Sequence, residues 1–217
     1  MCAAACALAA AGCGAGGGGG ARGGGPPDAA VRTEAPAPEP QAESGDGGGG
    51  DRAHRPAHPE HRAADPVRVR IPAISVSAAV GPLALGTDRT LATPENPART
   101  GWWRDGPEPG EAGPAVIVGH YDSDTGPAVF HRLRDLRAGD RIYVDRTDGT
   151  TAAFRAAEIT SHRQSAFPTT RVYGDTNGRA ALRLITCTGP YDRAAGHYLE
   201  NLVVYADLTA PGDARSR

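Results

Sequence analysis

Two side chains in this 217-residue sequence have the types that nucleophilic chemistry needs, His120 and Cys187. A thiol attacks once it has lost its proton, and an imidazole within reach can take that proton and later return it. The other cysteines, Cys2, Cys6 and Cys13, all fall in the first thirteen residues. No disulfide framework can therefore form around Cys187, which is either a nucleophile or a buried small hydrophobe. Arg193 is the only arginine between Cys187 and the C-terminal tail. All 23 basic side chains are arginine, so Schiff-base lysine chemistry is excluded.

The two residues need rigid carriers. Residues 115–119 (AVIVG) and 181–187 (ALRLITC) are continuous apolar runs of strand length, and each leads into a polar, glycine-containing loop. This puts His120 and Cys187 at the C-terminal ends of buried strands. Val67, Val69 and Ile71 alternate with Arg68 and Arg70, which predicts a strand with one buried face. Further extended pieces are expected at residues 76–80, 141–146, 151–159 and 201–208, with a hairpin turn at Asp148-Gly149. Residues 100–113 read as a Gly/Pro loop, and residues 129–136 as a short helix with Val129, Leu133 and Leu136 on one side. About eight short strands with regular Gly and Pro punctuation predict an all-β fold, a closed or nearly closed eight-stranded barrel with one or two short helices.

The N-terminal part has a different composition. Residues 1–65 hold 15 of the 30 glycines, and their only large apolar residues are Met1, Leu8 and Val31. Such a stretch cannot offset its ordering entropy, so residues 14–65 read as a disordered linker and 209–217 as a short tail. Residues 1–13 resemble a short signal-peptide core without its positive start, ending in an Ala-Ala-Gly-Cys similar to a lipoprotein processing box. Residues 66–208 contain 16 Arg and 16 acidic residues, a balance that disfavours nucleic-acid binding. Glu111, Asp122 and Asp124 do not amount to a dense acidic loop, so no metal and no cofactor is assigned.

Strand-His, strand-LITC, a loop with Arg and a final strand together resemble a sortase, a bacterial cysteine transpeptidase, over residues 66–208. More narrowly, GWWRDGPEPGEAGPAVIVGHYDSDTGPAVFHRL (101–133), FPTTRVYG (167–174) and LRLITCTGPYDR (182–193) are similar to the actinobacterial class F sortases. The resemblance implies a sortase-type barrel at the cell surface, membrane-tethered or secreted. It implies as substrate a protein with a Leu-Pro-x-Thr-Gly-like sorting signal, and as acceptor an amine such as a peptidoglycan precursor. It makes Cys187 the nucleophile of a thioacyl intermediate, His120 the proton donor to the leaving amine and Arg193 the donor to the oxyanion. Two positions depart from the family pattern. Arg183 stands where the signature begins with Thr, and Arg193 follows Cys187 by six residues, where the usual interval reaches Glu200 and Asn201.

Four more residues are candidates for substrate contact: Thr186 to steady the substrate carbonyl, Asp122 to orient the imidazole, Tyr191 to shape the mouth and Trp102 to line a peptide groove. Their plain alternatives are a strand threonine, a turn-capping aspartate, a rim tyrosine and a core tryptophan. Papain-like and L,D-transpeptidase arrangements require other orders or spacings of Cys and His, which leaves a non-catalytic barrel that binds peptide or wall polymer as the alternative. If residues 1–65 are a tether, a chain starting near Asp65 keeps the catalytic efficiency of the full-length protein, as steady-state kinetics on both would show.

Overall fold

The structure, a computed structural model, describes residues 63–86 and 90–209. The signal-like segment, nearly all of the linker and almost the whole C-terminal tail lie outside the described residues.

Alternating Val and Arg build β1 (Pro66–Ile71), with Val69 and Ile71 fully buried. A 3-10 turn at Pro72–Ile74 reverses the chain into β2 (Val76–Leu83), antiparallel to β1. β3 (Thr100–Trp103) pairs parallel with β2, and β4 (Gly113–Gly119) returns antiparallel to β3. A small ribbon, β5 (Asp122–Ser123) with β6 (Gly126–Pro127), leads to a 3-10 turn at Leu133–Asp135. β7 (Arg141–Arg146) and β8 (Thr151–Arg163) form the Asp148-Gly149 hairpin. A single-turn helix α1 (Thr169–Tyr173) precedes the long hairpin of β9 (Ala180–Asp192) and β10 (His197–Leu208). The strands close in the order β1-β2-β3-β4-β9-β10-β8-β7. The expected eight-stranded closed barrel is the fold.

Local differences from the expectation have simple causes. Residues 129–136 form only a 3-10 turn, because Phe130, Leu133 and Leu136 are drawn inward to fill the barrel and do not line one helical face. The α-helix is instead α1, which starts directly after Pro168, where a missing N–H costs nothing. Residues 100–103, read as loop, are a strand. Here Gly101 admits Leu83 so closely that a β-carbon would lie 2.1 Å from Leu83 Cδ1.

Pleating sorts the wall into two apolar sets. Ala115, Ile117, Leu182, Leu184, Leu202 and Val204 face the barrel interior with Phe130 and Phe154. Val116, Val118, Ile185, Val203 and Tyr205 face outward, under α1 residues Val172 and Tyr173. Each fully buried large side chain contributes on the order of 1.5–3 kcal/mol. The outer layer therefore stabilises the sheet and also leaves it a dry face.

Gly119 ends β4 against Phe130: an added β-carbon would meet Phe130 Cδ2 at 2.7 Å and Val129 Cγ1 at 2.9 Å. Gly119→Ala is expected to overpack this point, costing about 1–3 kcal/mol in urea unfolding.

Candidate active site

β4 and β9 run parallel, in a register from Gly113–Ala180 to Val118–Ile185. His120 follows the end of β4 by one residue and Cys187 lies two residues past the last β4 pairing on β9, so both stand at the same end of two adjacent parallel strands. Cys187 shares the outward face with Ile185, and His120 follows Val116 and Val118 in the same alternation. Both are buried, at 4% exposure for His120 and 2% for Cys187.

His120 is held from two sides. Its carbonyl accepts from the Phe130 amide at 2.9 Å, which clamps the base of the β5–β6 excursion. Its Nε2 lies 2.6 Å from the Pro94 carbonyl oxygen. A carbonyl can only accept, so Nε2 carries a proton and Nδ1 is the nitrogen left to exchange one.

Burial first, and then the nearby Asp122 carboxylate, push the Cys187 thiol up to about 12. The Asp122 carboxylate accepts a hydrogen bond from the Tyr198 hydroxyl, not from His120. Burial and this charged partner raise the Tyr198 phenol as well. Tyr198 stands edge-on to Tyr121 at 5.4 Å and to Tyr191 at 5.1 Å, so a row of aromatic rings runs from the loop after His120 out along the β9–β10 hairpin. Tyr191, 39% exposed, is its outer end.

Trp102, Thr186 and Arg193 occupy three different parts of the barrel. Trp102 is 3% exposed inside the barrel, where its Nε1 donates to the Pro107 carbonyl at 3.3 Å, so it lines no groove. Its neighbour Trp103 takes the outer side, edge-on to Tyr173 at 5.4 Å. Thr186 is fully buried and alternates with Cys187, which places its side chain with Leu184 toward the interior. The strand does not end at Cys187. Gly189 (φ 78°) and Pro190 oppose the single residue Leu199 and so form a bulge, not a turn, and β9 continues to Asp192. Asp192 Oδ1 then accepts from the amides of Ala194 at 2.8 Å and Ala195 at 3.1 Å, which builds the hairpin tip. Arg193 sits exposed in that tip, six residues and roughly 20 Å of strand from Cys187.

The residue directly across from Cys187 is Asn201, fully buried. Lower on the same face Arg183 is 8% exposed with its guanidinium 4.8 Å from the Tyr205 ring, and Arg171 stands 4.1 Å from that ring while pairing with Glu158. Desolvation pulls the Arg183 pKa down. Among the described residues no group of three or more His, Cys, Asp or Glu could hold a metal ion, and no helix is long and apolar enough to cross a membrane.

Comparison with known proteins follows the same lines. The sortase-domain family model matches residues 69–209. Among functionally curated proteins no relative matches the sequence. Of solved structures, sortase A from Corynebacterium diphtheriae is similar at 24% identity and a TM-score of 0.54, over 71% of this chain and 66% of that one. Streptococcus agalactiae sortase C1, in a complex with MTSET, is similar at 24% identity and 0.52, over 67% and 69%. Actinomyces oris sortase C-1 is similar at 26% identity and 0.50, over 67% and 76%. With a matching barrel, and with the family model spanning both His120 and Cys187, this chain belongs to the sortase family.

Proposed function

We propose that this protein is a cell-surface transpeptidase of the class F type. It would cleave a Leu-Pro-x-Thr-Gly-like sorting signal between Thr and Gly and transfer the acyl group to an amine, anchoring surface proteins to the cell wall. The observation that carries this reading is the parallel β4–β9 register, which brings a buried imidazole and a buried thiol to one face of one sheet. The sequence segments similar to class F members support the narrower assignment. Attachment to the membrane would fall to the N-terminal segment.

The thiol's raised pKa shapes the order of events. With a value of about 12, the thiolate fraction at neutral pH is roughly one in 10⁵. The resting site is therefore a neutral thiol beside an imidazole. As peptide binds, His120 Nδ1 accepts the thiol proton while Sγ adds to the Thr carbonyl carbon. The tetrahedral intermediate collapses, the C–N bond to Gly breaks, and the leaving amine takes the proton back from Nδ1. In the second half-reaction an amine adds to the thioester, loses its proton to His120 and expels the sulfur. The Nε2–H bond to Pro94 stabilises the imidazolium that forms between these steps.

Trapping tests the reading directly. Wild-type protein mixed with a sorting-signal peptide is expected to show a thioacyl adduct on Cys187 by intact-mass spectrometry. Cys187→Ala is expected to lose adduct, cleavage and transfer together while unfolding at the same temperature, since a small buried side chain is removed. Cleavage by the alanine variant would remove the thiol mechanism, and binding without any adduct in wild type would leave a peptide-binding barrel instead.

The thiol environment gives a second prediction. Below its pKa a thiol gains tenfold in thiolate per pH unit, so iodoacetamide labelling of Cys187 should still be climbing at about pH 10. Asp122→Asn removes the negative charge that raises the thiol, so the labelling profile should move to lower pH and the rate at pH 8 should increase. An unchanged profile would show that burial alone sets the thiol.

A further inference from the structure

Arg193 stands exposed in the hairpin tip, while the same hairpin carries a buried donor much closer to Cys187 in the register. Asn201 on β10 is the register partner of Cys187 on β9. Directly opposed residues of an antiparallel pair present their side chains to the same face, with β-carbons about 4.5–5.5 Å apart. Asn201 precedes Leu202, an interior residue, and alternates with Val203 and Tyr205 on the outer face, so it stands where Cys187 stands. It is fully buried at the head of the apolar run Leu202 to Ala206, a costly place for an amide unless its polar atoms are used.

A second contact fixes the direction of the amide. Gln164, just past the end of β8, donates from Nε2 to Asn201 Oδ1 at 3.1 Å. β10 lies between β8 and β9 in the barrel. The oxygen is therefore engaged by Gln164 on the β8 side, and the planar amide carries its Nδ2–H₂ on the branch away from Gln164. Gln164 is itself positioned by burial, its Oε1 being enclosed with no partner. The result is a neutral, preoriented N–H donor on the cysteine's own face, in a water-poor setting where such donors are strongest.

We infer that Asn201 is the oxyanion donor of this enzyme: its Nδ2–H hydrogen-bonds the carbonyl oxygen of the group being transferred while Sγ of Cys187 adds to the carbonyl carbon. This rests on Cys187 being the nucleophile. In the step itself the Sγ–C bond forms, the carbonyl π pair moves onto oxygen and the thiol proton passes to His120. When the oxyanion collapses, the leaving group departs, as an amine carrying that proton or as an anion from an activated ester. A neutral donor differs from a guanidinium in one respect. It stabilises the oxyanion without lowering the thiol's pKa, which agrees with the neutral resting thiol.

The test compares full-length wild type with Asn201→Ala, Asn201→Leu and Arg193→Ala. Acylation of Cys187 is followed with two donors, p-nitrophenyl acetate and a Leu-Pro-x-Thr-Gly peptide, beside alkylation by iodoacetamide, which passes through no oxyanion. Both Asn201 variants are expected to lose on the order of 100- to 1000-fold in acylation turnover, with KM and alkylation little changed and Arg193→Ala near wild type. Leucine has the same number and branching of side-chain heavy atoms as asparagine, though a larger volume, and suits the apolar strand, so it gives a second variant if the alanine variant does not fold. Acylation near wild type in the Asn201 variants overturns the assignment, as does alkylation falling in parallel, which would mean Asn201 only places the thiol. If wild type reacts with the ester but never with the peptide, and the variants lose the ester reaction, the sorting-signal reading fails and Asn201 stands. A wild type inert to both donors overturns both.

Discussion

Everything at this site depends on one pairing, the parallel register of β4 with β9. The strands are distant in sequence and meet only because β4 enters the wall between β3 and β9. A slip of one residue would turn every side chain of one strand to the opposite face. The register is fixed by what lies on both faces: Ala115, Ile117, Leu182 and Leu184 inside, and Val116, Val118 and Ile185 outside. A strand buried on both faces has no polar face to offer an alternative register, which is why short runs such as AVIVG and ALRLITC can hold two reactive groups in place. The parallel sense matters equally, because it brings the corresponding ends of the two strands to the same rim.

The outer layer has a chemical role besides a mechanical one. Val172, Tyr173, Leu91 and Tyr205 dry the face on which Cys187 sits. This burial keeps the thiol protonated, with Asp122 adding to the effect. A buried thiol of high pKa is protected from adventitious oxidation and alkylation, which proceed through the thiolate. In the proposed mechanism the same property slows the first chemical step and leaves activation to events that accompany peptide binding.

The parts of this molecule that could be read from its sequence are those with a strong local signal. Alternation at Val67, Val69 and Ile71 and the apolar runs before His120 and Cys187 identified the strands, and their number with regular Gly/Pro breaks indicated a barrel. The ends of the long hairpin could not be read. Thr188 to Asp192 is polar and contains Gly189 and Pro190, which normally punctuate, yet cross-strand pairing with β10 carries the strand through them by a bulge. That one misjudged boundary displaced Arg193 by the length of the hairpin arm. Trp102 and Trp103 illustrate another limit. Adjacent residues on a strand face opposite ways, and composition does not say which side is the core. Asn201 was visible only as a family interval, because a single amide inside an apolar strand gives no periodic signal. Its partner Gln164 lies 37 residues away, a pairing that only the folded barrel creates.

The closure of the wall has a consequence for how a peptide can be held. Each of the eight barrel strands pairs with a neighbour on each side over part of its length, but β9 beyond Ile185 pairs only with β10, and so does β8 beyond Ala156. Where both sides are paired the wall has no edge for an extended ligand to join as one more strand. Over that part, selectivity comes from side chains on the outer face and from the loops around it. Recognition in this enzyme is then a matter of shape and of a few placed polar groups, and its specificity can change by loop substitution without disturbing the barrel that carries the chemistry.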